Sequence, residues 1–137
     1  LRIAWARKVL QEEKHIKVSD VETKLPLPSY TEQTLNNLKM QHPENKFSLI
    51  MGADNLPRFH QWKNYRSIIH QYHIYIYNRS SKSDYILLHP NIIYTRSPLL
   101  DVSATAVRSQ FLNGQLHPHL IDPLIYDEVQ NFYQHGQ

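Results

Sequence analysis

Four groups of residues in this sequence have types and spacings suited to binding phosphates and flat rings. The first is the run Val102-Ser-Ala-Thr-Ala-Val-Arg108. A helix that begins near Ser103 leaves backbone amides free at its start, and Thr105 and Arg108 then share a face. Free amides, hydroxyls and a guanidinium gathered at one helix start make a phosphate site. An ordinary capped surface helix with one Arg has the same pattern. The second is Leu49-Ile-Met-Gly-Ala-Asp54. A glycine after an apolar strand lets a ligand approach the backbone, and an acid at a strand's carboxyl end can accept from ribose hydroxyls. A tight turn with Asp54 capping the next short helix is the plainer alternative.

The third is Trp62, in Phe59-His-Gln-Trp-Lys-Asn-Tyr65. An indole in a polar stretch either folds back on the core or offers a stacking face to an aromatic or cationic ring. The fourth is Arg79, just after the run His73–Tyr77. A planar guanidinium there suits a phosphate or carboxylate, and equally a solvated loop. The pairs His70/His73 and His117/His119 could be drawn as metal ligands. Neither has the spacing of a zinc-binding helix or a neighbouring acid to complete a site, so no metal site is expected from them.

Composition narrows the classes of function. The chain has 137 residues, 41% hydrophobic and 20% charged, enough to bury a core and too little charge for a disordered tail. One domain over residues 1–137 is expected, without internal repeats. There is no Cys, which excludes disulfides, a thiol nucleophile and Cys-based zinc. Three Gly cannot build a glycine-rich phosphate loop. The mean hydropathy is −0.55 and no apolar run approaches ~18 residues, so no membrane span is expected. The net charge of +3 is mild, and Lys and Arg are spread along the chain rather than blocked. That argues against dedicated nucleic-acid binding.

The pattern of elements places the four groups. Residues 1–13 read as a helix with Ile3, Ala6, Val9 and Leu10 inward. Residues 14–18 read as a short strand with Ile16 and Val18 on one face. Pro26 and Pro28 break the chain, and Ser29 with Glu32 fits a capping box that starts a helix carrying Leu35 and Leu38. The apolar run Phe47–Met51 reads as a buried strand, followed by a helix around 65–70 and a strand at His73–Tyr77. Residues 78–84 read as loop, and 92–94 as a weaker strand. A helix opens at 101–103 and runs to Leu112, with Gly114 just past its end. Asp122-Pro123 starts a last helix, with Leu124, Ile125, Val129 and Phe132 inward. Strands alternating with helices predict an α/β fold with a parallel sheet, whose ligands sit beyond the carboxyl ends of the strands. Gly52, Asp54 and Arg79 lie at such ends.

Taken together, Pro28-Ser-Tyr-Thr-Glu-Gln-Thr-Leu35, Gly52-Ala-Asp54 with Leu56, Trp62, Arg79 and Val102-Ser-Ala-Thr-Ala-Val-Arg108 resemble the nicotinate-nucleotide adenylyltransferases. These belong to the α/β nucleotidyltransferase superfamily. The resemblance runs from Arg2 to about Gly136. It implies a Rossmann-like three-layer αβα fold with a parallel sheet, of the nucleotidyltransferase and adenine nucleotide alpha hydrolase-like kind. It also implies transfer of AMP from ATP to nicotinate mononucleotide, giving nicotinic acid adenine dinucleotide and pyrophosphate in NAD biosynthesis. Ser103, Thr105 and Arg108 would hold the ATP phosphates, with Arg108 the catalytic residue, and Gly52 and Asp54 would face the adenosine ribose. Thr31 and the backbone amide of Lys63 would bind the nicotinate carboxylate, Trp62 would stack on the pyridine ring, and Arg79 would lie on the mononucleotide side. Mg²⁺ would accompany ATP. The setting would be cytoplasmic, with no nucleic-acid or membrane partner, and a homo-oligomer is compatible with it.

The chain departs from the family pattern at Lys63, where an aromatic is usual, and at Ser80, where Pro is usual. It has no H-x-G-H, and His70-Gln-Tyr-His73 keeps only the spacing. With no strand before the first helix, the first βα unit, on the order of 50–60 residues, is expected to lie outside this chain. These 137 residues alone are then expected to turn over weakly or not at all. Three other readings stay open. One is adenylyl transfer to nicotinamide mononucleotide or pantetheine phosphate, the latter offering no planar ring to Trp62. Another is a non-catalytic nucleotide-binding module. The third, a basic nucleic-acid binder, has no motif here.

Overall fold

In the computed structural model, residues 1–78, 85–96, 98, 103–114 and 118–135 are described. Along the chain they form α1 (Arg2–Val9), α2 (Thr31–Gln41), β1 (Ser48–Gly52), α3 (Leu56–Phe59), α4 (Tyr65–Gln71), β2 (His73–Tyr77), β3 (Ile92–Tyr94), α5 (Ala104–Leu112) and α6 (Tyr126–His135). They gather into two compact units, one of residues 1–20 with 102–137, the other of residues 21–101.

The larger unit is built on a parallel sheet in the order β1-β2-β3. Leu49, Ile74 and Ile92 lie side by side in register, and Met51 and Ile76 continue that face. Below it Leu35 of α2, Phe59 of α3 and Ile68 of α4 complete one apolar core. Phe59, Ile68 and Ile74 are fully buried. The expected α/β class and parallel sheet are therefore observed, with the helices that link β1 to β2 in parallel fashion. The connection closes with side chains: Asn91 Nδ2 donates to the carbonyls of Ile69 (2.9 Å) and His70 (3.2 Å), satisfying the open end of α4.

β1 is not buried on both faces as the apolar run suggested. Leu49 and Met51 turn inward, but Ile50 between them is 73% exposed, and its neighbour Tyr75 on β2 is exposed too. A strand alternates its side chains, so covering one face leaves the odd residue out whatever its type. The strand expected at 14–18 is also absent. An isolated five-residue segment gains nothing from extension without a neighbouring ladder, and no strand pairs with it among the described residues.

In the smaller unit, Trp5 of α1, Phe111 of α5 and Val129 of α6 form a separate core. On α1 the buried residue is Trp5, not the expected Ile3, Ala6, Val9 and Leu10, which are half-buried. Asp122 does cap a turn, its Oδ1 accepting from the Leu124 amide at 2.9 Å, but α6 begins only at Tyr126. Val129 and Ile125 pack inward as expected, whereas Leu124 and Phe132 remain 49% and 41% exposed. Gly114 past the end of α5 takes φ +68°, the left-handed conformation expected there.

Glu128 ties α6 to α1. Trp5 Nε1 donates to its Oε2 at 3.0 Å and Lys8 Nζ to its Oε1 at 2.5 Å. These two donors, Lys8 first, hold the carboxyl below its ordinary 4.5. A carboxylate with a lowered folded pKa adds stability above its unfolded pKa and loses it as pH falls through the folded value. The thermal midpoint is therefore expected to fall more steeply below pH 4.5 in the native chain than in Glu128→Gln. Parallel pH profiles for the two proteins would remove Glu128 as the cause.

Candidate functional site

The start of α2 differs from the capping box expected of Ser29. Tyr30, not Ser29, occupies the N-cap in an extended conformation and makes no side-chain cap bond. Glu32 does not reach back. Its Oε2 accepts instead from Asn64 Nδ2 at 2.5 Å, across to the loop that follows α3. The Tyr30 carbonyl takes the Thr34 amide at 3.1 Å, as a helix start requires. The amides of the first turn, from Thr31 on, are left without an acceptor among the described residues. Uncapped donors at a helix start carry partial positive charge, worth about 0.3–1 kcal/mol to a nearby exposed anion.

The loop after α3 faces that turn. The Trp62 amide bonds the Phe59 carbonyl at 3.0 Å and the Tyr65 amide bonds the Trp62 carbonyl at 3.1 Å, so two tight turns follow each other. The second needs Asn64 at φ +55°, the left-handed region that Asn tolerates better than most residues. Between them the Lys63 amide has no acceptor among the described residues. Trp62 is half-buried and meets the buried ring of Phe59 edge-on, with centroids 5.5 Å apart. The core reading of this residue is observed in the contact with Phe59, and Trp62 also lines an open hollow.

That cavity has a volume of about 280 Å³ and is lined by Ser29, Tyr30, Thr31, Gln61, Trp62 and Lys63. Thr31, Trp62 and Lys63, over thirty positions apart at the extremes, thus line one hollow. An uncapped helix turn, a free amide and an indole around one hollow can receive a flat ring that bears an anionic group. Lys63 Nζ lies over the Tyr30 ring, 4.3 Å from its centroid, along the same wall. Tyr30 and Asn64 escaped the sequence reading as shaping residues, and Glu32 was assigned the wrong partner. Asn64 left a local signal, since Asn tolerates the left-handed conformation that such a turn needs.

Gly52 and Asp54 lie at the carboxyl end of β1 in the same unit. Gly52 is buried with φ −70° and ψ 142°, ordinary extended backbone, and Asp54 is exposed in the short 3₁₀ turn Ala53–Asn55. In the other unit, Ser103 caps α5, its Oγ accepting from the Ala106 amide at 3.0 Å. Arg108 donates to Thr105 Oγ1 at 3.1 Å, so the expected shared face is present and exposed. Arg79, the loop 78–84 beyond Asn78, residues 101–102 and His117 lie outside the described residues. Among the described residues no three His, Cys, Asp or Glu side chains gather to hold a metal.

A larger hollow, about 330 Å³, opens at the amino ends of the strands beside Lys46, His70, His73 and Lys39. Lys39 and His70 sit in the last turns of α2 and α4. There the Lys39 ammonium offsets the negative partial charge of the helix end, which accounts for it without a ligand.

No family model matches the chain. A protein of Flavobacterium johnsoniae named "probable nicotinate-nucleotide adenylyltransferase" is 40% identical over 124 residues, covering 87% of this chain and 64% of that protein. A protein of the same name from Flavobacterium psychrophilum is 37% identical over 124 residues with the same coverage. Another so named, from Cytophaga hutchinsonii, is 42% identical over 94 residues, 68% of this chain and 49% of that protein. The chain is a homologue of these proteins over most of its own length, and the resemblance read from its motifs stands. It spans 64% of the length of the first two relatives.

Proposed function

We propose that these residues belong to an adenylyltransferase that transfers AMP from ATP to nicotinate mononucleotide. The observation that carries the reading is the hollow between α2 and Trp62. Thr31, Trp62 and Lys63 line it, and the first-turn amides of α2 and the Lys63 amide have no acceptor among the described residues, so they are available as donors to a ligand there. Such donors favour a carboxylate. A carboxamide would turn its NH₂ against one of them or leave it unpaired, and unpaired buried donors are the strong form of discrimination. The pyridine ring would stack on Trp62, with Thr31 bordering the carboxylate.

In the reaction, an oxygen of the mononucleotide phosphate attacks the α-phosphorus of ATP. The new P–O bond completes the dinucleotide, and the bond to the β-phosphate breaks to release pyrophosphate. No protein nucleophile is needed, so the protein's part is alignment and stabilisation of developing charge. Arg108, with Thr105 and the amides at the start of α5, would supply that charge stabilisation on the triphosphate, and Arg79 would add a cation on the mononucleotide side. Gly52 and Asp54 would receive the adenosine ribose. The described residues offer no metal-ligand set of their own, so Mg²⁺ would arrive as the ATP complex, held by phosphate oxygens. Use of ATP argues for a cytoplasmic setting, and no helix among the described residues is long and apolar enough to cross a membrane.

Binding is the readout suited to this chain. By calorimetry, nicotinate mononucleotide is expected to bind with a favourable enthalpy and to bind more tightly than nicotinamide mononucleotide. Equal affinity for the acid and the amide would remove the carboxylate from the argument.

A further inference from the structure

We infer that the side chain of Lys63, as distinct from its backbone amide, is a charge determinant that selects the acid form of the mononucleotide. This rests on the proposed nicotinate site and adds a residue to its specificity. Lys63 borders the hollow, and its ammonium, on an exposed residue, lies over the Tyr30 ring at 4.3 Å. A ring face attracts a cation, so Tyr30 parks the charge on the wall of the hollow. The backbone below is set independently: Asn64, in its left-handed turn, donates to Glu32 on the first turn of α2 and joins the loop to the helix. No acid lines the hollow, and among the described residues the Lys63 ammonium has no ion pair, so it is placed to meet an incoming carboxylate.

A backbone N–H and an ammonium act differently. The amide recognises geometry at hydrogen-bond range, whereas the ammonium acts through space, favours any anion nearby and weakens with salt. Both mononucleotides carry the same phosphate, so its attraction to Lys63 cancels in the ratio of their affinities. What remains is the effect on the carboxylate.

The test measures dissociation constants of both mononucleotides by calorimetry on the native chain, Lys63→Gln, Lys63→Arg and, as a control for net charge, Lys46→Gln. At low salt Lys63→Gln is expected to weaken the acid about threefold to fivefold, the range of a solvent-screened charge pair, and to leave the amide unchanged within about twofold. Lys63→Arg and Lys46→Gln should keep the native ratio, and added salt should bring the native ratio toward that of Lys63→Gln. An unchanged ratio in Lys63→Gln, with the acid still preferred, overturns the role of the side chain and leaves the backbone site standing. No acid preference in the native chain overturns both.

Discussion

Replacing Trp62 by Ala weakens nicotinate mononucleotide binding by about 1–3 kcal/mol, or about five- to 150-fold, the range measured when an aromatic platform is removed from beneath a stacked base. The indole borders the hollow and one edge of it rests on Phe59, so the same change also loosens the core. Trp62→Phe separates the two effects. A phenyl ring keeps an apolar edge toward Phe59 and a smaller stacking face, so stability should be largely restored and affinity only in part. Melting curves and titrations on the three proteins give both numbers. ATP binding should not follow either change. If affinity for the mononucleotide survives Trp62→Ala while the melting temperature falls, the indole is a core residue and nothing more.

The second large effect is expected at Arg108. Its guanidinium donates to Thr105 at the start of α5, next to amides of which one is capped by Ser103. Hydrogen bonds to a charged group contribute about 1.5–3 kcal/mol. Arg108 is exposed, and solvent screening holds it to the low end, so Arg108→Ala should weaken ATP about tenfold. Arg108→Lys keeps the charge but loses the planar fork, and should recover only part of that affinity. Nicotinate mononucleotide binding should be unchanged, the converse of Trp62→Ala. Loss of mononucleotide affinity in Arg108→Ala would mean that the two nucleotides are not held by separate groups of residues.

The strands and their parallel order were legible because β-branched and aromatic runs such as His73–Tyr77 have few other ways to bury themselves. The helix start at Ser103 was legible for a similar reason, since its cap lies within three residues. Features that depend on distant partners were not. Residues 14–18 have the composition of a strand but gain a ladder only from a neighbour, and composition does not supply one. Ser29 and Glu32 satisfy a capping box on paper, yet Asn64, thirty-two residues away, competes for the Glu32 carboxylate and the helix starts one residue late. Ile50 reads as core because its neighbours are apolar, while the alternation of the strand turns it outward. The same reasoning covers the site: Trp62 stood out by its type in a polar stretch and Thr31 and Lys63 through a resemblance, whereas the hollow between them and the Lys63 ammonium over Tyr30 are products of the fold.

A crystal structure of the chain with nicotinate mononucleotide tests the central claim most directly. The account expects the pyridine ring against the indole of Trp62, with its carboxylate within about 3 Å of the Lys63 amide and the first turn of α2. A mononucleotide bound elsewhere, or with its carboxylate turned to solvent while the ring lies on Trp62, would contradict it.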